Sequence, residues 1–92
     1  MIKSFRHKAL KRLFEHGDPR GLPADMIDRL NLILNALNSA KRFDDLARPS
    51  FRLHALKGDL KGHWAATVRA NWRIVFRYDH PDVHDINFID YH

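Results

Sequence analysis

The chain contains no cysteine. Disulfides and thiolate metal sites are therefore excluded, and the cytoplasm is the expected compartment. No apolar run approaches the ~20 residues needed to span a bilayer, so no membrane association is expected. Lys3, Arg6 and Lys8 open the chain, but no apolar stretch of about 7–15 residues follows them, and no signal peptide is expected. Internal repeats, low-complexity tracts and signs of a second domain are missing too. The 92 residues are read as one domain, 1–92, with room for one modest core. His80, Asp82, His84 and Asp85 are metal-ligand types, yet Pro81 breaks any helical pairing of the two histidines and there is no His-Glu-x-x-His pattern. No metal and no cofactor is expected. Acid is scarce where base is dense: from Arg48 to Arg77 seven cations (Arg48, Arg52, Lys57, Lys61, Arg69, Arg73, Arg77) stand against one acid, Asp59.

What is present is an ordinary globular balance, 45% apolar, with a net charge of +5 when the seven histidines are neutral. That charge rises in mild acid, since histidine titrates near pH ~6.5. A basic balance suits nucleic acid, an anionic membrane surface or an acidic protein, and does not choose among them.

Taken in order, Ile2 and Phe5 suit a short edge strand over residues 1–5, with Ser4 as N-cap of a following helix. Leu10, Leu13 and Phe14 are spaced for that helix over residues 6–16, and Gly17 ends it. Lys8, Lys11 and Arg12 on its remaining face are either solvated surface or phosphate contacts. Residues 18–23 are turn-rich, and Pro23 suits the first turn of a second helix. There Met26, Ile27, Leu30, Ile33, Leu34, Leu37 and Ala40 recur at helical spacing, a core stripe. Residues 43–49 are read as a linker. The period then becomes strand-like: residues 51–56, 64–68, 72–78 and 83–89 read as strands, with turns at Gly58–Asp59, Gly62, Asn71 and His80-Pro81-Asp82. The expected fold class is α+β: a short N-terminal strand, two helices, then a C-terminal antiparallel sheet with the helices packed on one face.

The cation-rich half ends on Asp90-Tyr91-His92. Cleaving RNA without a metal needs a base for the ribose 2′-OH, an acid for the leaving 5′-oxygen, and cations for the charge that builds on phosphorus. His54 and His92 suit proton transfer, with Asp90 and Tyr91 beside the latter. Lys57, Arg69, Arg73 and Arg77 suit phosphate, arginine by a fork of donors and lysine as a point charge. Each also has a plain structural reading. His54 fits a hydrogen-bonded boundary residue, the strand arginines a solvated sheet face, Tyr91 a core aromatic, and Trp64 and Trp72 core rings rather than base-stacking ones. A plain nucleic-acid-binding module, gripping backbone without chemistry, is the competing class.

Four stretches together resemble the HigB toxins, a branch of the RelE/ParE superfamily of bacterial type II toxin–antitoxin systems. They are Met1-Ile2-Lys3-Ser4-Phe5, Leu56-Lys57-Gly58, Val68-Arg69-Ala70-Asn71-Trp72-Arg73-Ile74 and Asp90-Tyr91-His92. The similarity runs essentially end to end. It implies a RelE-like microbial ribonuclease fold and a ribosome-dependent mRNA endonuclease that cuts messenger in the ribosomal A site. It also implies a HigA-type antitoxin with a helix-turn-helix domain, through which alone the complex would meet operator DNA. The positions that match the family's functional ones are His54, Lys57, Arg73, Asp90, Tyr91 and His92. By that resemblance His92 leads proton transfer, Asp90 and Tyr91 assist or orient, His54 joins the same site, and Lys57 and Arg73 hold the scissile phosphate. The superfamily also holds ParE-type gyrase poisons, which need no proton-transfer cluster; the intact Asp90-Tyr91-His92 ending favours the nuclease.

Overall fold

Helix α1 spans Lys8–His16 and buries Ala9, Leu10 and Leu13, the 3.6-residue stripe on one face. Gly17 ends it in the left-handed conformation at φ 67°, its N–H reaching the Leu13 carbonyl at 3.0 Å. A computed structural model describes residues 1–91. In it the helix starts later than the spacing suggests, because Ser4 is not its cap. The Ser4 hydroxyl accepts from the Asp85 N–H at 2.8 Å and faces the Asp85 carboxylate at 3.3 Å. The first residues run extended and parallel beside the last strand, bridging Ile2 to Val83 and Phe5 to Ile86 rather than forming a continuous strand. The helix can begin only where that ladder stops.

His7 is the N-cap, and its Nδ1 accepts the Leu10 N–H at 3.2 Å. Only the neutral ring can accept there. Burial, and secondarily the Arg12 charge, lowers its pKa. The unfolded chain thus binds the proton more readily than the folded one. Stability from this cap is full above the ordinary value near ~6.5 and is lost as pH falls through the lower folded value. His7→Asn keeps a capping acceptor without the titration. Its melting temperature is expected to fall less than that of the wild type between pH 7 and 5 in calorimetry. Parallel curves would show that the cap does not titrate.

Helix α2, Ile27–Ser39, follows a 3-10 turn at Ala24–Met26 and buries Leu30, Ile33, Leu34, Ala36 and Leu37. Arg29 ties it to the layers below: its guanidinium donates to the Thr67 carbonyl at 3.0 Å and lies over the Phe51 ring. Residues 43–49 are more than a linker. They contain the 3-10 turn Phe43–Leu46 and lead into a second, Pro49–Phe51, and these bury Leu46 and Phe51 completely in the core.

Four strands follow, β1 His54–Ala55, β2 His63–Arg69, β3 Trp72–Asp79 and β4 Asp82–Asp90, joined in sequence order as an antiparallel meander. The first is far shorter than residues 51–56. Pro49 starts a turn instead of a ladder, and Arg52 takes the left-handed conformation at φ 45°. The helices cover one face of the sheet, where Ala66, Val68, Ile74, Phe76, Val83, Ile86 and Phe88 join the main core. The other face carries only a small cluster, Leu56, Ala65 and Val75, with Leu60 and Ile89 packed against it. The fold class is the expected one.

Candidate active site

Residues opposite one another in an antiparallel pair share a face, so the register assigns each candidate. His54 pairs with Ala65, Ala65 with Val75 and Val75 with Asn87, a row crossing the face away from the helices. The neighbouring row is Thr67, Arg73 and Ile89. His54 and Arg73 thus stand on one face, two strands and two residues apart, roughly 12 Å between Cα atoms by ordinary sheet spacings. That gap is one two long side chains can close on a shared phosphate.

Three backbone features fix the corner around Arg73. The β2–β3 hairpin turns at Ala70, φ 50°. Arg73 Nη1 donates to the carbonyls of Ala70 at 2.6 Å and Trp72 at 3.1 Å, while its buried Nε has no partner among the described residues. The Tyr91 N–H donates to the Asn71 carbonyl at 2.7 Å, so the chain end is tied to the same hairpin. Tyr91 follows Ile89 by two, which puts it on Arg73's side by strand alternation, and it is 43% exposed. Asp90 pairs with Trp72 and is exposed. His92 lies outside the described residues.

Lys57 is exposed at the rim. It follows Leu56, whose side chain is buried in the small cluster and whose N–H reaches the His63 carbonyl at 3.0 Å. Gly58 then turns at φ 69°, a conformation a side chain resists although nothing would crowd a Cβ there. The turn brings Leu60 back over the cluster. The Leu56-Lys57-Gly58 triplet is therefore an anchor, a presented cation and a hinge.

The two remaining arginines part company. Arg77 lies in a third row on the open face, between His63 and His84. Its Nε donates to Asp85 at 3.3 Å. Burial pushes the Asp85 carboxyl up, but donation from Arg77 and Ser4 outweighs this and holds it below the usual carboxylate range. Part of Arg77's charge is thus already balanced. Arg69 does not join this face. A bulge after Thr67 sets it opposite Trp72, and it forms an ion pair with Asp25 beside α2. His63 was not singled out by the sequence, and His84 was weighed only as a metal-ligand type. The signal was available: counting outward from the His80–Pro81 turn pairs Tyr78 with Val83 and Arg77 with His84. Among the described residues no group of three His, Asp or Glu is placed to hold a metal ion. No helix among them is long and apolar enough to cross a membrane.

The profile of the HigB-like toxin family, described as the RelE-like toxin of type II toxin–antitoxin system HigB, matches residues 3–92. Endoribonuclease HigB of Proteus vulgaris is 50% identical over 92 residues, the full length of both chains. Among solved structures, a YafQ variant from E. coli superposes with a TM-score of 0.64 at 16% identity, covering 96% of this chain and 89% of that one. YoeB in the YoeB–YefM complex from Staphylococcus aureus superposes with a TM-score of 0.61 at 17% identity, covering 100% and 98%. At such identities the two structures bear on the fold alone.

Proposed function

Because the chain belongs to the HigB-like toxin family of type II toxin–antitoxin systems and is an RNA-cleaving enzyme, we propose that it cuts mRNA in the ribosomal A site, in the cytoplasm, and so arrests translation. The observation that supports this reading is that His54 and Arg73 share the open face of the sheet, with the Tyr91 backbone tied to the hairpin of Arg73 and Lys57 exposed nearby.

In this mechanism one proton-transfer group, His54 or His92, removes the proton of the ribose 2′-OH. The freed oxygen attacks the adjacent phosphorus, the bond from phosphorus to the 5′-oxygen breaks, and the partner group returns a proton to that oxygen. A 2′,3′-cyclic phosphate and a 5′-hydroxyl result, with no other reactant consumed. Lys57 and Arg73 stabilise the charge on the phosphoryl oxygens as it builds. Asp90 and Tyr91 orient or assist His92, and Arg77 holds flanking backbone. The basic faces, including Lys8, Lys11 and Arg12, dock on ribosomal RNA. A HigA-type helix-turn-helix antitoxin neutralises the toxin, and the complex meets operator DNA through the antitoxin.

Primer extension on mRNA in a purified translation system, with and without ribosomes, tests the reading. Breaks within A-site codons are expected only when ribosomes are present. Equal cutting of free mRNA would remove the ribosome from the mechanism. Undisturbed translation together with blocked supercoiling would instead indicate a gyrase poison.

A further inference from the structure

On the far side of the edge strand β1 from His54's face there is a concavity. Trp64 pairs with Ala55 rather than with His54, which turns its indole to the helix side. The two 3-10 turns of residues 43–51 fold against it and leave a cavity of about 280 Å³. Phe43, Pro49, Leu53 and Trp64 form its apolar walls, Arg48 and Arg52 its charged ones, and no acid lines it. The walls are braced from behind: the Phe43 ring lies 4.6 Å from that of Trp64 and 5.2 Å from that of Tyr78. The Arg48 guanidinium lies over the Phe51 ring, 5.3 Å from its centroid. Arg52 and Leu53 immediately precede His54, so this pocket and the candidate active site adjoin across a strand only two residues long.

We propose that this pocket receives one nucleobase of the RNA substrate next to the cleaved bond, with Arg48 and Arg52 on the phosphates that flank it. The inference rests on the endonuclease reading and deepens it. The size fits: sites that enclose drug-sized ligands run to about 300–1,000 Å³, and this one is just large enough for a single flat heterocycle. The chemistry fits as well. Aromatic walls stack with any base, and arginines supply both a stacking plane and phosphate donors. A chain of net charge +5 with two arginines and no acid at the pocket selects a polyanion over an apolar peptide.

The test uses a Trp72→Phe background, which leaves Trp64 as the one tryptophan. The probes are 2′-O-methyl hexanucleotides, which lack the attacking hydroxyl, each with one abasic position. Saturable quenching of Trp64 is expected, and one abasic position should abolish it and weaken binding about tenfold, as loss of one stacked base does. Arg48→Gln with Arg52→Gln should lower the salt dependence of log K by about 1.4, two single-strand phosphates. Binding without quenching and equal for every abasic probe overturns the pocket and leaves the endonuclease reading intact. Failure of every probe to bind also overturns the pocket, while A-site cleavage decides the endonuclease reading separately. Quenching by the antitoxin but not by RNA overturns it as well, and assigns the cavity to the protein partner.

Discussion

Arg73→Ala is expected to slow mRNA cleavage by about two to three orders of magnitude, the loss that follows removal of one preorganised donor to a developing oxyanion. His92→Ala is expected to cost at least as much. Arg73 is chosen because its position is over-determined. It lies in the row between Thr67 and Ile89, and its Nη1 is held by the Ala70 and Trp72 carbonyls of the hairpin turn. Those bonds hold the guanidinium against the hairpin turn. A lysine keeps the charge but not the fork, so Arg73→Lys should fall between alanine and wild type. Losing the two backbone bonds costs about 1–3 kcal/mol of stability at most, which melting curves will separate from the catalytic loss. Arg69→Ala is the control: Arg69 is paired with Asp25 beside α2, and the change in rate should stay within about threefold, as for an exposed ion pair of small net worth. The readout is single-turnover cleavage of ribosome-bound mRNA. A near-normal Arg73→Ala with an inactive Arg69→Ala would reverse the assignment of the two faces.

The contrast between these arginines also shows how far the sequence can be read. Strict alternation from Thr67 sends Arg69 to the open face, but the bulge after Thr67 shifts the register by one and turns it to the helix side. A single inserted residue leaves no trace in composition or periodicity. Longer signals were safe. The α2 stripe needs seven apolar residues in step, and the β3–β4 hairpin is centred on its turn. Local competition misled in two places. Ser4 is a good cap, but the Asp85 N–H claims its hydroxyl and His7 takes over. Residues 51–56 alternate like a strand, but the turn begun at Pro49 and the left-handed Arg52 use half of them before β1 begins. As for the site, residue types named the chemistry and the resemblance named the positions. The sequence spacing alone did not bring His54 to the face of Arg73; two strand registers did.

Phe76→Ala is expected to destabilise the protein by about 3–5 kcal/mol, the cost of emptying a buried aromatic position. Phe76 sits in the middle of β3 at 0% exposure, opposite Trp64 on β2 and beside the bulge between Val75 and Arg77, with its ring in the main core. Against a total stability of about 5–15 kcal/mol for a small domain, this is a large share. At about 4–8 °C per kcal/mol for a chain of this size, the melting temperature should drop by roughly 12–40 °C. The neighbouring side chain tests the layer argument. Val75 points to the open face, where the buried cluster is only Leu56, Ala65 and Val75. Val75→Ala removes two methylene equivalents, about 1.6 kcal/mol, with little cavity cost because that side can collapse towards solvent. Urea titrations of both variants should therefore differ about twofold or more in lost stability. They should rank oppositely in cleavage by the folded fraction, since Val75 underlies the row of His54 and Phe76 does not. Equal stability losses would mean that the open face is a second core rather than a platform for the site.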